Sequence, residues 1–259
     1  MRPVRTDLWI FLAGLVAGSV NAAAGGGTLL AFPVLLGVAH LSPLAANTTC
    51  TVGLLPGIVA STGGYWRELA AHLRRDARRQ LVPSALGGVL GAWLLLSLGG
   101  AVFALIVPWL LVASAILIAV QPLLGRWLAL HRPEHGYPAA LVLVPFLVSV
   151  YGGYFGAAQG IPYVAAMGLL LSRPIGELNA LRILNAMVNN LLAALTFIVL
   201  EAIRPTGALD FHAVLPLALG SLAGGWAGVR IVRRMPATVL RGFAACIGVA
   251  IGLYLAFRR

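Results

Sequence analysis

The 259 residues are 60% hydrophobic and only 10% charged, with a net charge of +11, whereas about a quarter of the residues in soluble domains are charged. A mean hydropathy of +0.95 excludes an ordinary soluble domain and marks a polytopic membrane protein, in which spans need about 20 apolar residues. All 18 basic residues are arginine. Lysine Schiff-base chemistry is therefore excluded, and no nucleic-acid partner is expected, because the arginines gather at the ends of apolar runs where they set topology.

The first apolar run covers roughly Leu8 to Ala24 and is read as a retained span rather than a signal peptide, since Asn21 to Gly27 does not make a convincing cleavage site and further spans follow. The second, Thr28 to His40, is short for a full span. Between them lies Asn21-Ala-Ala-Ala-Gly25-Gly26-Gly27-Thr28. Three glycines in a row let the backbone leave the helix and expose N–H groups, and at membrane depth such a break persists only where protein or a water-filled cavity surrounds it.

The third run, Leu44 to Trp66, carries Asn47-Thr48-Thr49 near its start. The hydrophilic stretch Arg67 to Gln80 follows, and its arginines make it the clearest cytoplasmic loop. The fourth run, Leu81 to Leu98, has Gly87 and Gly91 at a spacing that admits close helix approach, and the fifth spans Ala101 to Leu124. Residues 125–137 form the expected cytoplasmic linker between a first repeat, 1–124, and a second, 138–259. Within the linker His131 and His135 flank Pro133, and are read as solvated rather than as metal ligands; no metal or other cofactor is expected. Cys50 and Cys246 lie in apolar runs and serve packing.

The second half repeats the plan with runs at 138–154, 161–172, 174–203, 213–232 and 238–257. Asn21, Gly25 and Pro43 are answered 131 residues later by Gly152, Gly156 and Pro174. Likewise Pro83, Gly87, Gly91 and Trp93 match Pro216, Gly220, Gly224 and Trp226 at an offset of 133. The loop after the third run is basic while its counterpart, Glu201 to His212, is mixed, and the bias reverses after the fourth and ninth runs. This points to an all-α fold of two homologous halves, five segments each, as inverted repeats around a central site with broken or short helices. Both termini then lie outside the cytoplasm, although this leaves Arg2, Arg5, Arg258 and Arg259 outside as well. The short runs 28–40 and 161–172 either cross or re-enter. The faces Gly87/Gly91 and Gly220/Gly224/Gly228 pack either the halves or two protomers of a homodimer.

The stretch Gly18 to Thr49, with Gly25-Gly26-Gly27, Pro33 and Ala45-Ala46-Asn47-Thr48-Thr49, resembles the first repeat of the TauE/SafE family of sulfite and organosulfur-anion exporters. Gly152 to Asn190 is similar to that family's second repeat. The resemblance implies a multi-pass permease of the bacterial inner membrane that moves a small anion: sulfite, a sulfonate or another small organic anion. The second copy departs from the glycine-rich pattern, reading Gly156-Ala-Ala-Gln159-Gly160-Ile-Pro162, and offers Glu177-Leu-Asn179-Ala in place of Ala-Asn-Thr-Thr.

Apart from the resemblance, Arg182 stands inside the long eighth run, where a charge costs roughly 2.5–3.5 kcal/mol near the bilayer centre and usually faces a cavity. Asn185 and Asn189 share its helical face at i+3 and i+7, whereas Asn190 lies off it. The candidate anion site is built from Gly25, Gly26, Gly27 and Thr28 at one break, Gln159 and Gly160 at the other, Asn47, Thr48 and Thr49, and Arg182, Asn185 and Asn189. Exposed N–H groups at helix starts attract anions, and a guanidinium offers a planar donor fork to an oxyanion. Asn21 and Tyr163 are secondary candidates, and Glu177 is the carboxylate to test for proton coupling. With seven acidic residues in all and no acid–base pair at either break, transport by alternating access is the first reading. An anion channel is the alternative, and a membrane-embedded lipid-phosphate hydrolase a more distant one.

Overall fold

The computed structural model describes residues 4–23, 25–66, 69, 73–130, 139–171 and 173–231, together with 246, 249–250, 252–255 and 257. The linker histidines His131 and His135, the residues Arg67, Glu68, Arg233 and Arg234, and most of the tenth apolar run lie outside this set. The helices are α1 (Val4–Ala23), α2 (Thr28–Gly37), α3 (Pro43–Gly63), α4 (Arg74–Leu130), α5 (Ala140–Tyr154), α6 (Gly160–Leu170), α7 (Ile175–Ile203) and α8 (Phe211–Ile231). No strand occurs among the described residues.

Among the described residues, three helices are long and apolar enough to cross a membrane: α3, α4 as far as residue 124, and α7. Large apolar side chains face outward, among them Trp93 and Trp109 of α4 and Trp226 of α8, each more than half exposed. Such surface is a liability in water and a lipid contact in a bilayer. The protein is thus an all-α membrane protein.

The sequence predicts separate helices over 81–98 and 101–124, but α4 is continuous from Arg74 to Leu130 except at Gly99, where φ is 79° and ψ 169°. Only glycine adopts that conformation without strain, so a single residue turns one run into the next. The helix also begins seven residues before Leu81. Arg, Ala and Gln are good helix formers, and Asp76 lies in the first turn where negative charge suits the helix dipole. Half of the expected cytoplasmic loop is therefore helix.

Glycines set the packing. A methyl on Gly14, Gly18, Gly220 or Gly224 would overlap a backbone carbonyl of the partner helix, pairing α1 with α8: Gly14 meets Leu217, Gly18 meets Ser221, and Gly224 meets Leu15. The first arm of α4 meets α5 in the same way, Gly87 against Phe146 and Gly91 against Val150. The matched glycine faces thus join the two halves within one chain. Contacts rise together along both pairs, so each pair runs parallel.

The ends of the molecule follow from these directions. Arg173, just before α7, pairs with Asp76 at 3.0 Å, which puts the starts of α4, α5 and α7 at one end. The Asp210 N–H donates to Thr49 Oγ1 at 3.2 Å, which puts the starts of α3 and α8 at the other. Since α1 parallels α8, α1 and α5 begin at opposite ends. The short helices α2 and α6, 10 and 11 residues, rise about 15–17 Å, half of a hydrocarbon core of about 30 Å.

Gly220→Ala is expected to lower folded yield and thermal stability, since overpacking of this kind costs about 1–3 kcal/mol, whereas Gly37→Ala, with open space around it, is neutral. Thermal unfolding of the purified variants in detergent tests the difference.

Candidate functional site

The helix breaks at 25–27 and 155–159 share much of their backbone. Gly25 and Gly156 both have φ 76°. The Gly25 N–H donates to Val20 O at 3.2 Å, and the Gly156 N–H to Tyr151 O at 3.2 Å. Leu30 N–H reaches Gly27 O at 3.0 Å, as Ile161 N–H reaches Ala158 O. The copies part at the next position: Gly27 has φ −60°, whereas Ala158, standing where the first break has glycine, is held at φ 58°. A left-handed alanine is strained, and it sits directly before Gln159.

Between the breaks lies a cavity of about 30 Å³. Thr28, Gly25 and Asn21 line it from the first break, and Gly156, Gln159 and Gly160 from the second. Cys50, Leu54, Ile58 and Ser61 face it from α3, and Arg182, Ile183, Ala186 and Asn190 from α7. A space of this size admits a small ion or a water or two, not an extended organic molecule.

Arg182 is 3% exposed and is seated by the absence of two side chains. A methyl on Gly25 would overlap its Nη1, and one on Gly160 would lie 2.7 Å from Cδ and 2.9 Å from Nη1. Its Nε donates to Asn179 Oδ1 at 3.2 Å. The guanidinium therefore lies between the two breaks, with Asn179 one turn earlier fixing its plane.

The structure brings Gly25, Thr28, Gln159, Gly160 and Arg182 together at the cavity. Gly26 and Gly27 are packed, the first against Ile118 and the second against Ala17 O and Asn21. Asn47 Nδ2 donates to Tyr154 O at 2.9 Å. Thr48 Oγ1 donates into a group of carbonyls that includes Ala208 O, and Thr49 Oγ1 accepts from Asp210, so both bind the 205–210 segment. Asn185 Nδ2 is ringed by Ser84 Oγ, Ser149 Oγ and Pro145 O at 2.7, 3.0 and 3.4 Å. Asn189 Nδ2 donates to Gln159 Oε1 at 2.9 Å, orienting a lining residue without lining the cavity itself.

The helical wheel of α7 explains the exchange of asparagines. At about 100° per residue, the lining residues Arg182, Ile183, Ala186 and Asn190 span an arc of about 100° on one side of Arg182. Asn185 lies about 60° on the other side, toward α4 and α5. Sequence pattern placed Arg182 with Asn185 and Asn189, but it does not say toward which edge of that face the cavity opens.

Asn21, a secondary candidate, lines the cavity while its Oδ1 accepts from Gly27 N–H at 2.7 Å. Tyr163 is buried elsewhere, its hydroxyl donating to Gln80 Oε1. Ser61 and Asn190 also line the cavity, although the sequence pattern puts neither in the candidate set. Ser61 follows Cys50, Leu54 and Ile58 at helical spacing, a pattern visible in the sequence once one of them is known to face the cavity. Glu177 pairs with Arg173 at 3.4 Å, and Arg173 also holds Asp76; this group lies toward the start of α7, outside the cavity lining.

A family model described as "Sulfite exporter TauE/SafE" matches residues 10–255. The chain is 28% identical over 250 residues to "Probable membrane transporter protein ORF9" from Sinorhizobium sp, covering 95% of this chain and 91% of that one. It is 28% identical over 232 residues to a "Probable membrane transporter protein" from Haemophilus influenzae, covering 90% and 87%. A similarly named protein from Xylella fastidiosa is 27% identical over 258 residues, covering 95% and 92%. With the match running through both helix breaks and nearly the whole chain, this membrane protein belongs to the TauE/SafE family of transporters.

Proposed function

We propose that the chain is a secondary transporter of a small anion, such as sulfite, a sulfonate or another small organic anion, and that it works as an exporter in the bacterial inner membrane. The observation that carries this reading is Arg182, 3% exposed, seated between two helix breaks at a small cavity. A buried guanidinium keeps its charge, and its fork matches an oxyanion. The starts of α2 and α6 direct partial positive charge to the same space, so Gly25, Thr28, Gln159 and Gly160 join it as the binding set. Asn21, Ser61 and Asn190 add polar groups.

Alternating access requires contacts that open and close on either side of the bound anion. Two groups suit that role. Toward the starts of α4 and α7 lies the Asp76–Arg173–Glu177 group, and below it Gln80 Nε2 donates to Leu181 O at 3.2 Å. Toward the other end, Thr48 and Thr49 hold the 205–210 segment. Each group ties a helix of residues 1–124 to the block 138–259. The opposite starting ends of α1 and α5 support reading these two blocks as inverted repeats, with 125–137 as the linker between them. Within this reading Glu177 is the group through which a proton couples. The lining offers donors and a fixed positive charge, which suits holding an anion better than acid–base chemistry.

Arg182→Gln is expected to reduce saturable sulfite flux in proteoliposomes at least tenfold with folded yield preserved, and Arg182→Lys to recover only part of it because the planar fork is lost. Flux unchanged in Arg182→Gln would remove Arg182 from the site. Glu177→Gln is expected to abolish the pH-driven component of flux, measured with imposed pH gradients; an unaltered pH dependence removes Glu177 from coupling.

A further inference from the structure

Asn47 is fully buried, and its amide orientation is determined by its partner. Nδ2 donates to the Tyr154 carbonyl, which can only accept, so the atom left over is Oδ1. That oxygen is buried with no hydrogen-bond partner. A buried acceptor without a donor is rare, and its polarity is wrong for an anion and right for a cation.

The surroundings share that polarity. Tyr154 is the last residue of α5, whose C-terminal end carries the negative pole of the helix and carbonyls without intrahelical partners. The next two N–H groups, Phe155 and Gly156, both return to Tyr151 O at 2.9 and 3.2 Å, so neither serves Gly152 or Gly153. A second orphan oxygen, Asn189 Oδ1, is also buried without a partner. It lies against Gly88 of α4, while the nitrogen of the same amide faces Gly152. In transporters built from broken helices, C-terminal helix ends and unwound backbone carbonyls coordinate Na⁺.

We propose that the C-terminal turn of α5 holds one monovalent cation of the Na⁺ class, taken by Asn47 Oδ1 and the carbonyl end of that helix. The first break is not equipped for a second. Asn21 Oδ1 accepts from Gly27 N–H, and the position 131 residues after Asn47 is Leu178, a buried apolar residue. The cation sits at the start of the segment that carries Gly156, Gln159 and Gly160 into the cavity. If the transport reading holds, its charge favours anion binding there, and linkage makes the effect reciprocal.

Thermal unfolding of the purified full chain in detergent, titrated with NaCl against choline chloride at equal ionic strength, tests the site. Na⁺ is expected to raise Tm saturably, by roughly 5–10 °C at a hundredfold excess over its Kd. Asn47→Leu is expected to abolish the rise, and Asn47→Asp to lower the half-saturating concentration several-fold. Arg182→Gln is expected to keep the Na⁺ effect, so failure of the anion reading and failure of the cation site are read separately. Equal behaviour in NaCl and choline chloride, or a Na⁺ shift that survives in Asn47→Leu, overturns the proposal in favour of a buried water on Asn47. If Asn47→Leu yields no folded protein, Asn47→Asp decides, and an unchanged midpoint overturns it.

Discussion

A guanidinium inside a spanning helix must be surrounded by groups that replace its water, because removing a charge from water costs several kcal/mol after relaxation. Around Arg182 the chain meets this demand with absences as much as with groups. Gly25 and Gly160 withhold the methyls that would overlap its end and its stem, and Asn179 accepts from Nε. The helix breaks are consequences of the same demand. Two continuous helices at these positions would bring side chains where the guanidinium lies, whereas two interrupted ones bring backbone.

Close approach elsewhere serves the same arrangement. Gly14 and Gly18 on α1 nest against α8, and Gly87 and Gly91 on the first arm of α4 against α5. Without a hydrophobic drive between helices in lipid, such packing supplies much of the association. It also places the break after α1 and the break after α5 against each other. Gly152 shows how tightly the two functions interlock: a methyl there would overlap both Gln159 Oε1 and Asn189 Nδ2, the pair that orients one wall of the cavity.

The polar residues divide by what their hydrogen bonds already do. Asn185, among Ser84 and Ser149, is interhelical glue, and Thr48 and Thr49 tie α3 to the 205–210 segment. Asn190 donates to Ala186 O at 2.8 Å and still faces the cavity. A side-chain amide in an apolar run announces that it has a partner, because lipid offers none. Whether that partner is a ligand, a carbonyl or a serine is decided by neighbours distant in sequence: Pro145 for Asn185, Tyr154 for Asn47.

The membrane class, the two breaks, the buried arginine and the glycine faces were all legible in the sequence, since each depends on local chemistry: apolar length, the conformational freedom of Gly25 and Gly156, the cost of a charge at Arg182, the absence of Cβ. The extension of α4 to Arg74 escaped, because a run of arginines reads as a loop by hydropathy while remaining a good helix by propensity. The composition of the cavity wall escaped as well. Periodicity gives the residues that share a face of α7, but the rotation of that face toward the cavity, and with it the exchange of Asn185 and Asn189 for Ile183, Ala186 and Asn190, depends on how α7 packs against α3, α4 and α5. That is set by contacts between residues distant in sequence, such as Asn185 with Ser84 and Ser149, which no local pattern records.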